Sequence, residues 1–541
     1  MNNFTANTYE MKREIMNFCK KISRGVNKPI TKFIKDIEYG IASSGSCLIS
    51  NISRSLNENI KLKNTIERLC DNLNNFNDTD KVYKNYIETI GDVYGDEPVA
   101  LFDDSDISKI YGKKFEDLDD VIDASDLDKK ITKGYHVCES VILNEKEKQP
   151  ISVYSKIYSC KSKEFKSMNE YTMKSIDAVK NVLGRKFTGV FDRGYDDNKI
   201  IDYMNDNYFI IRMNDRRVFL FKGKKKNAYE EALKRKGKIR MTLWFDDNEE
   251  REVYVSHTKV TLPYNKKDYE LVFCYGLSEE RPLILLTNRE IHNKEDVIKV
   301  VRLYFSRWRI EEYFRAKKQE YEFENIRLRT LKGINNLNLF LTIHLGHISL
   351  LAEEVNKKLL SIKIVESSKS LRGKVIVWMS QFARGIKNIL AYAHTGIKEW
   401  QKIEIRENKD FEAMEILPEI KSISSEKHIK EKSPIYNNIY EYIRIIFNNL
   451  MQENISFIDY NNFFEIIALT VNKCIEITLK EKKYELQKLS NIIKEEGITI
   501  KIYDTTFNIT LNYLTEYLYN NKDKIKNIPK SLIKEKKWYN I

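Results

Sequence analysis

Between residues 97 and 290, short apolar runs alternate with polar turns and helical stretches, and this rhythm restricts the fold more than any other feature of the chain. Pro98–Phe102 (PVALF), Phe187–Phe191 (FTGVF), Tyr208–Met213 (YFIIRM) and Pro282–Thr287 (PLILLT) read as buried strands. Tyr135–Leu143 and Ile151–Ser159 flank the charged turn NEKEKQP and read as a hairpin. Residues 164–183 and about 197–206 read as helices between these strands. Strand, hairpin, helix, strand, helix, strand is the order of a mixed α/β sheet. At 541 residues the chain is too long for one core, so two to four domains are expected.

The flanks follow other patterns. Residues 1–95 carry apolar residues at helical spacing. Ile49, Ile52 and Leu56 mark one face, and Ile66, Leu69 and Leu73 another across an Asn-rich turn. With Arg54, Lys61, Lys63 and Arg68 between them, these two segments resemble a helix-turn-helix DNA reader. Residues 214–280 interrupt the α/β rhythm with a basic segment and alternating strands, and read as a β-rich insertion domain between core segments 96–213 and 281–345. Asn293 is placed to cap a helix that continues to about residue 320, with Glu295 and Asp296 in its first turn. Residues 346–400 read as a helical extension, 401–434 as a charged linker, and 435–541 as a helical C-terminal module.

A net charge of +13 favours an anionic partner, with nucleic acid ahead of a membrane surface. Seven cysteines without CxxC pairs or nearby His at zinc spacing read as reduced thiols, neither a disulfide framework nor a zinc site. No apolar leader is visible, and the run Leu339–Ala352 is too short for a span, so a cytoplasmic protein with no membrane partner is expected. His344 and His347 within that run read as buried residues, not as ligands.

Chemistry concentrates in Tyr304–Lys318 (YFSRWRIEEYFRAKK). On one continuous helix Tyr304, Arg307, Glu311 and Lys318 fall within a sector of about 60°. A phenol, a guanidinium, a carboxylate and an ammonium then share one face, suited to a metal and to phosphates. The bland alternative is a solvated face on which Glu311 and Arg315 form an i,i+4 pair. Two further acids weigh against it. Asp103 and Asp192 each close an apolar strand, and ligands bind at such strand ends. Two strand-end carboxylates and a helix-borne Glu can hold divalent cations that act on phosphate esters.

These residues carry a family resemblance. Tyr304-x-x-Arg307-Trp308-x-Ile310-Glu311-x-x-Phe314-x-x-x-Lys318 resembles the Tyr-Arg-Glu-Lys signature of DDE transposases of the insertion-sequence-four family. Asp103-x-Ser105 is similar to that family's first Asp motif, and Asp192-Arg193-Gly194-Tyr195 to its second. The resemblance covers about residues 97–345 and implies a ribonuclease H-like catalytic core interrupted by a β-rich insertion, with helical N- and C-terminal regions. It makes Asp103, Asp192 and Glu311 the metal-binding triad for two Mg²⁺ (or Mn²⁺) ions. It makes Tyr304, Arg307 and Lys318, with Arg193 and Arg315 beside them, contacts to DNA phosphates. Asp103 is chosen over Asp104 because it starts the Asp-x-Ser pattern, and Glu311 over Glu312 by helical phase. Trp244 of the insertion is the candidate for stacking on a flipped base. The implied function is cut-and-paste transposition through a hairpin intermediate. Its partners are double-stranded DNA (terminal inverted repeats and target) and a second copy of the chain on the paired ends. The rival reading is a catalytically inactive or repurposed transposase-derived DNA-binding protein.

Overall fold

Apolar residues at helical spacing form five helices ahead of the sheet: α1 (Ala6–Ile22), α2 (Lys28–Ser44), α3 (Ile49–Ser55), α4 (Leu62–Asn75) and α5 (Thr79–Ile90). The structure is a computed structural model and describes residues 6–122, 131–145, 148–244, 250–277, 281–353, 359–368, 378–391, 498–502 and 505–509. Local chemistry sets the ends of α2. The Asn27 side chain accepts from the Ile30 N–H at its start, and Gly45 closes it at φ 57° in the left-handed region. In the helix-turn-helix-like pair α3–α4, Arg54, Lys61 and Lys63 are exposed beside the exposed Ile60 and Leu62. Arg68 is committed elsewhere: it ion-pairs Asp36 at 2.8 Å and Glu58 at 3.0 Å within the helical layer.

The sheet region runs β1 (Val99–Ser108), β2 (Asp119–Ile122), β3 (Ile131–Leu143), β4 (Pro150–Tyr158), α6 (Met168–Leu183), β5 (Thr188–Phe191), α7 (Asn198–Tyr203), β6 (Tyr208–Arg212), β7 (Val218–Phe221), β8 (Lys224–Asn227), α8 (Ala228–Leu233), β9 (Ile239–Trp244), β10 (Glu250–Thr261), β11 (Asp268–Tyr275) and β12 (Leu283–Thr287). These strands form a 12-stranded sheet in the order β2-β3-β1-β5-β6-β12-β11-β10-β7-β8, with β4 on β3 and β9 on β10. The pairs β1–β5 and β5–β6 are parallel and the others antiparallel, so the sheet is mixed. The strands of 214–280 do not stand apart. β11 hydrogen-bonds to β12 from Glu270↔Thr287 to Cys274↔Leu283, which makes the segment a lateral extension of the sheet. Its basic residues Lys222, Lys224 and Lys225 are exposed on the β7–β8 edge hairpin.

One strand is longer than its sequence suggests. Asp103 lies inside β1, not at its end. Parallel pairing to β5 stops at Phe102↔Phe191, but β3 stays alongside through Asp103↔Glu139 to Ser108↔Gly134. The long partner satisfies the backbone of the acidic run, so it remains extended despite its poor strand propensity. What ends at Asp103 is the neighbour on one side, which opens a gap in the sheet beside it.

Three segments follow the sheet, α9 (Lys294–Phe305), α10 (Trp308–Arg315) and a π-helical turn (Ala316–Glu320). Then come α11 (Leu331–Glu353), α12 (Leu359–Ser367) and α13 (Trp378–Ala391). α11 is buried along most of its length and lies on β4. Phe340 meets Phe33 edge-on at 5.4 Å and Phe76 at 5.2 Å, joining α11 to the N-terminal helices. The Tyr86 hydroxyl donates to the Ser152 carbonyl of β4 at 3.1 Å, fastening α5 to the sheet. In the region read as a helical C-terminal module, the described residues form an antiparallel hairpin, β13 (Ile498–Ile502) and β14 (Thr505–Ile509). Alternating Ile, Thr and Phe in ITIKI and TTFNI favour strand over helix there. The linker at 401–434 lies outside the described residues. Among the described residues no helix is long and apolar enough to cross a membrane.

Both histidines of α11 are buried. His344 Nε2 lies 3.0 Å from the Tyr321 hydroxyl, and its Nδ1 is 3.5 Å from Glu38. Burial, followed by the neighbouring His347, pushes the His344 pKa down to about 3. An unfolded His titrates near 6.5. Between these values the unfolded chain takes up a proton that the folded chain refuses, so stability falls as pH drops from about 6.5 towards 3. The slope from this group is up to about 1.4 kcal/mol per pH unit. Urea midpoints at successive pH values should show this acid-side slope flattened in His344→Gln; an unchanged slope would place the titration elsewhere.

Candidate active site

The gap beside Asp103 is where the polar side chains collect. β5 ends at Phe191, Asp192 follows, and a 3₁₀ turn (Arg193–Tyr195) carries the chain away. Asp103 and Glu139 are directly cross-strand, so both project to the sheet face that α10 covers. Asp104 points to the other face, against Cys138 and Tyr195.

The helix expected to run unbroken to residue 320 is instead three pieces. Asn293 starts α9 with a capping box closed by Asp296. At Ser306 the helix tightens: Arg307 N–H bonds to the Tyr304 carbonyl at 3.0 Å, and the Ser306 hydroxyl to the Leu303 carbonyl at 2.6 Å. Bonds of the i→i−3 kind overwind the chain, and the π turn at 316–320 later unwinds it. The single-helix phase therefore does not hold along the whole stretch, yet the signature side chains still reach the acids. The Tyr304 hydroxyl donates to Asp192 Oδ1 at 3.3 Å. Arg307 forks, reaching Asp103 Oδ2 at 3.0 Å and Glu311 Oε1 at 2.5 Å. Lys318 reaches farther along β1, to Asp106 at 3.6 Å, and pairs with Glu324 at 3.1 Å.

Glu311 thus pairs backward to Arg307, while Arg315 is exposed. Glu312 is buried and bonds to Arg309 at 3.2 Å. Arg193 is exposed next to Asp192. Trp244 closes β9 opposite Glu250; its side chain lies outside the described residues. Arg212, which the sequence reading did not single out, closes β6 and ion-pairs Asp192 at 3.7 Å. The available signal was a basic residue ending the strand next to the one that leads to Asp192.

Electrostatics follow from this crowding. Burial, then the charges of Asp104 and Asp192, push the Asp103 carboxyl up to about 7 against the pull of Arg307. Asp104 rises to about 6, chiefly through burial. Tyr304 is pushed up to about 12 by burial and by Asp192. Arg307 loses hydration, but Asp103, Glu311 and Asp192 more than offset this and hold it charged. Arg307 joins Asp103 to Glu311, while Asp192 is held by Tyr304 and Arg212, so the three carboxylates do not close into one cluster with oxygens within 4.8 Å of one another; their oxygens are the donor type that a hard divalent cation such as Mg²⁺ or Mn²⁺ takes.

Residues 126–345 match the family described as the transposase DDE domain. The matched span includes Asp192, Tyr304, Arg307, Glu311 and Lys318 and begins after Asp103, and it supports a DDE transposase. No match was found among curated proteins. A solved structure of piggyBac transposase, in a synaptic complex with hairpin DNA, is similar with a TM-score of 0.38 and 10% sequence identity, over 75% of this chain and 85% of that chain.

Proposed function

We propose that this chain is a transposase that excises a DNA element and joins it to a new site by phosphoryl transfer, with Asp103, Asp192 and Glu311 as its metal-holding carboxylates. The observation that carries this reading is that Arg307 joins Asp103 to Glu311 and Tyr304 holds Asp192, on the neighbouring strand end, where β1 loses its β5 neighbour. A bound divalent cation (two, by the family resemblance) supplies Lewis-acid activation of an attacking oxygen and charge stabilisation at the leaving oxygen. The protein's own groups do the positioning. Arg307 presents a planar fork, so a phosphate can replace one of its carboxylate partners without moving the backbone. Lys318 offers a point charge further along β1, and Tyr304 holds the Asp192 carboxylate by hydrogen bond. Arg193 and Arg315, both exposed, extend the cationic border for backbone phosphates. Two protomers, each on one element end, complete the proposed assembly.

The test is cleavage by the purified full chain of DNA bearing the sequences that flank its coding frame. Strand nicking followed by joined products, only with Mg²⁺ or Mn²⁺ present, is the expected result. Salt-sensitive binding without cleavage in either ion would favour the repurposed DNA-binding reading instead.

A further inference from the structure

On the edge of β3 that faces away from β1, three potential metal ligands converge that lie far apart in sequence. β3 carries two strands on the edge away from β1. β2 covers its first residues, with Asp119↔Gly134, and β4 covers the rest, with His136↔Tyr158. β2 and β4 therefore meet end to end along β3. Asp119, at the start of β2, His136 on β3 and Cys160, two residues past β4, all fall at this junction. One oxygen, one nitrogen and one sulfur atom from the three lie within 4.8 Å of one another.

We propose that Asp119, His136 and Cys160 form a Zn²⁺ site, separate from the catalytic carboxylates, that pins β2 to the junction of β3 and β4. Donor chemistry selects the ion. A thiolate, an imidazole and a carboxylate together suit Zn²⁺, whereas Mg²⁺ and Ca²⁺ take oxygen alone. Geometry is close to what is needed. His136 Nε2 lies 3.7 Å from Asp119 Oδ2. Tetrahedral zinc with bonds of about 2.0–2.1 Å requires roughly 3.3–3.4 Å between such atoms. The surrounding groups hold the ligands in place. The Asp120 N–H bonds to Asp119 Oδ1 at 2.8 Å, and the Cys160 N–H to Oδ2 at 2.5 Å. The His136 ring stacks on Tyr158 at 5.3 Å. Lys161 competes only weakly. Its ammonium is 3.9 Å from Asp119 Oδ1, the oxygen turned from His136, and it pairs more closely with Asp120 at 2.9 Å. Cys160 is exposed, which leaves the fourth position to water. On binding, the Cys160 thiol gives its proton to solvent as the sulfur–metal bond forms.

The probe is Co²⁺, titrated into the full-length protein. A thiolate ligand gives a sulfur-to-cobalt charge-transfer band that the carboxylate centre cannot produce. One equivalent is expected to develop that band, and excess Zn²⁺ to remove it. Cys160→Ser, an exposed substitution, should abolish the band while the protein remains folded. His136→Ala should weaken binding by at least about tenfold, since even outer partners of a metal site are worth ~10–100-fold. Zn²⁺ should raise the thermal midpoint of the wild type and not of Cys160→Ser. A wild-type protein without the band, or a Cys160→Ser protein that keeps it, overturns the proposal.

Discussion

On the proposed function, Glu311→Gln is expected to lower metal-dependent DNA cleavage by about 10²–10³-fold or more, the scale on which one preorganised transition-state contact acts, and to leave the unfolding midpoint where it was. Glu312→Gln does the reverse. The two neighbours live in different surroundings. The Glu311 side chain is 51% exposed, and its partner is the Arg307 fork. Removing its charge leaves Arg307 on Asp103 and disturbs no packing. Glu312 is 4% exposed and hydrogen-bonded to Arg309, so its neutral variant weakens a buried charged pair at a cost of about 1–3 kcal/mol. Cleavage in Mg²⁺ and thermal unfolding, measured on both variants, separate the roles. Wild-type cutting speed in Glu311→Gln would remove it from the proposed triad.

The largest stability effect is expected at Lys317. It is 1% exposed, and its ammonium donates to Glu139 at 2.8 Å, Asn338 at 2.9 Å and Ser155 at 3.1 Å, which uses all three of its protons. Glu139 is fully buried and also accepts from the Ser152 hydroxyl. Lys317→Met strands that carboxylate and should destabilise the fold by about 3–5 kcal/mol. The double variant Lys317→Met/Glu139→Leu, with no charge left to strand, should recover most of the loss. Urea denaturation of the single and double variants reads this directly. A single variant as stable as wild type would mean that the pair is not buried as described. The pair holds the π turn against β3 and β4, and because Glu139 is cross-strand to Asp103 and Lys317 adjoins Lys318, that anchor lies next to the candidate site. The double variant is therefore expected to regain stability more fully than DNA cleavage.

Much of the chemistry was legible because it is local. The DRGY run, the Asn293 cap and the apolar strands each depend on a few adjacent residues. Phase over the single turn from Arg307 also puts Glu311, and not Glu312, beside that guanidinium without any partner in view. What failed was the continuity of that helix. Ser306 and the turn at 316–320 change the winding, and helix propensity gives no warning of either. The long β1 was missed for a related reason: Asp103–Ser108 stays extended only because β3 runs beside it. The nearness of Asp119, His136 and Cys160 was likewise not legible, since spacing rules assume ligands that are close in sequence.

Side-chain type and short-range periodicity suffice for the mixed α/β sheet and for picking out acids and bases of a type suited to metal and phosphate. Long-range contacts supplied the rest. They aimed the fork of Arg307 at two carboxylates, placed Arg212 on Asp192 and buried Lys317 against Glu139. They also brought Asp119, His136 and Cys160 to the junction of two strands. Each depends on strand register and on which strand runs out first, and register is set by pairings between segments that no local pattern connects.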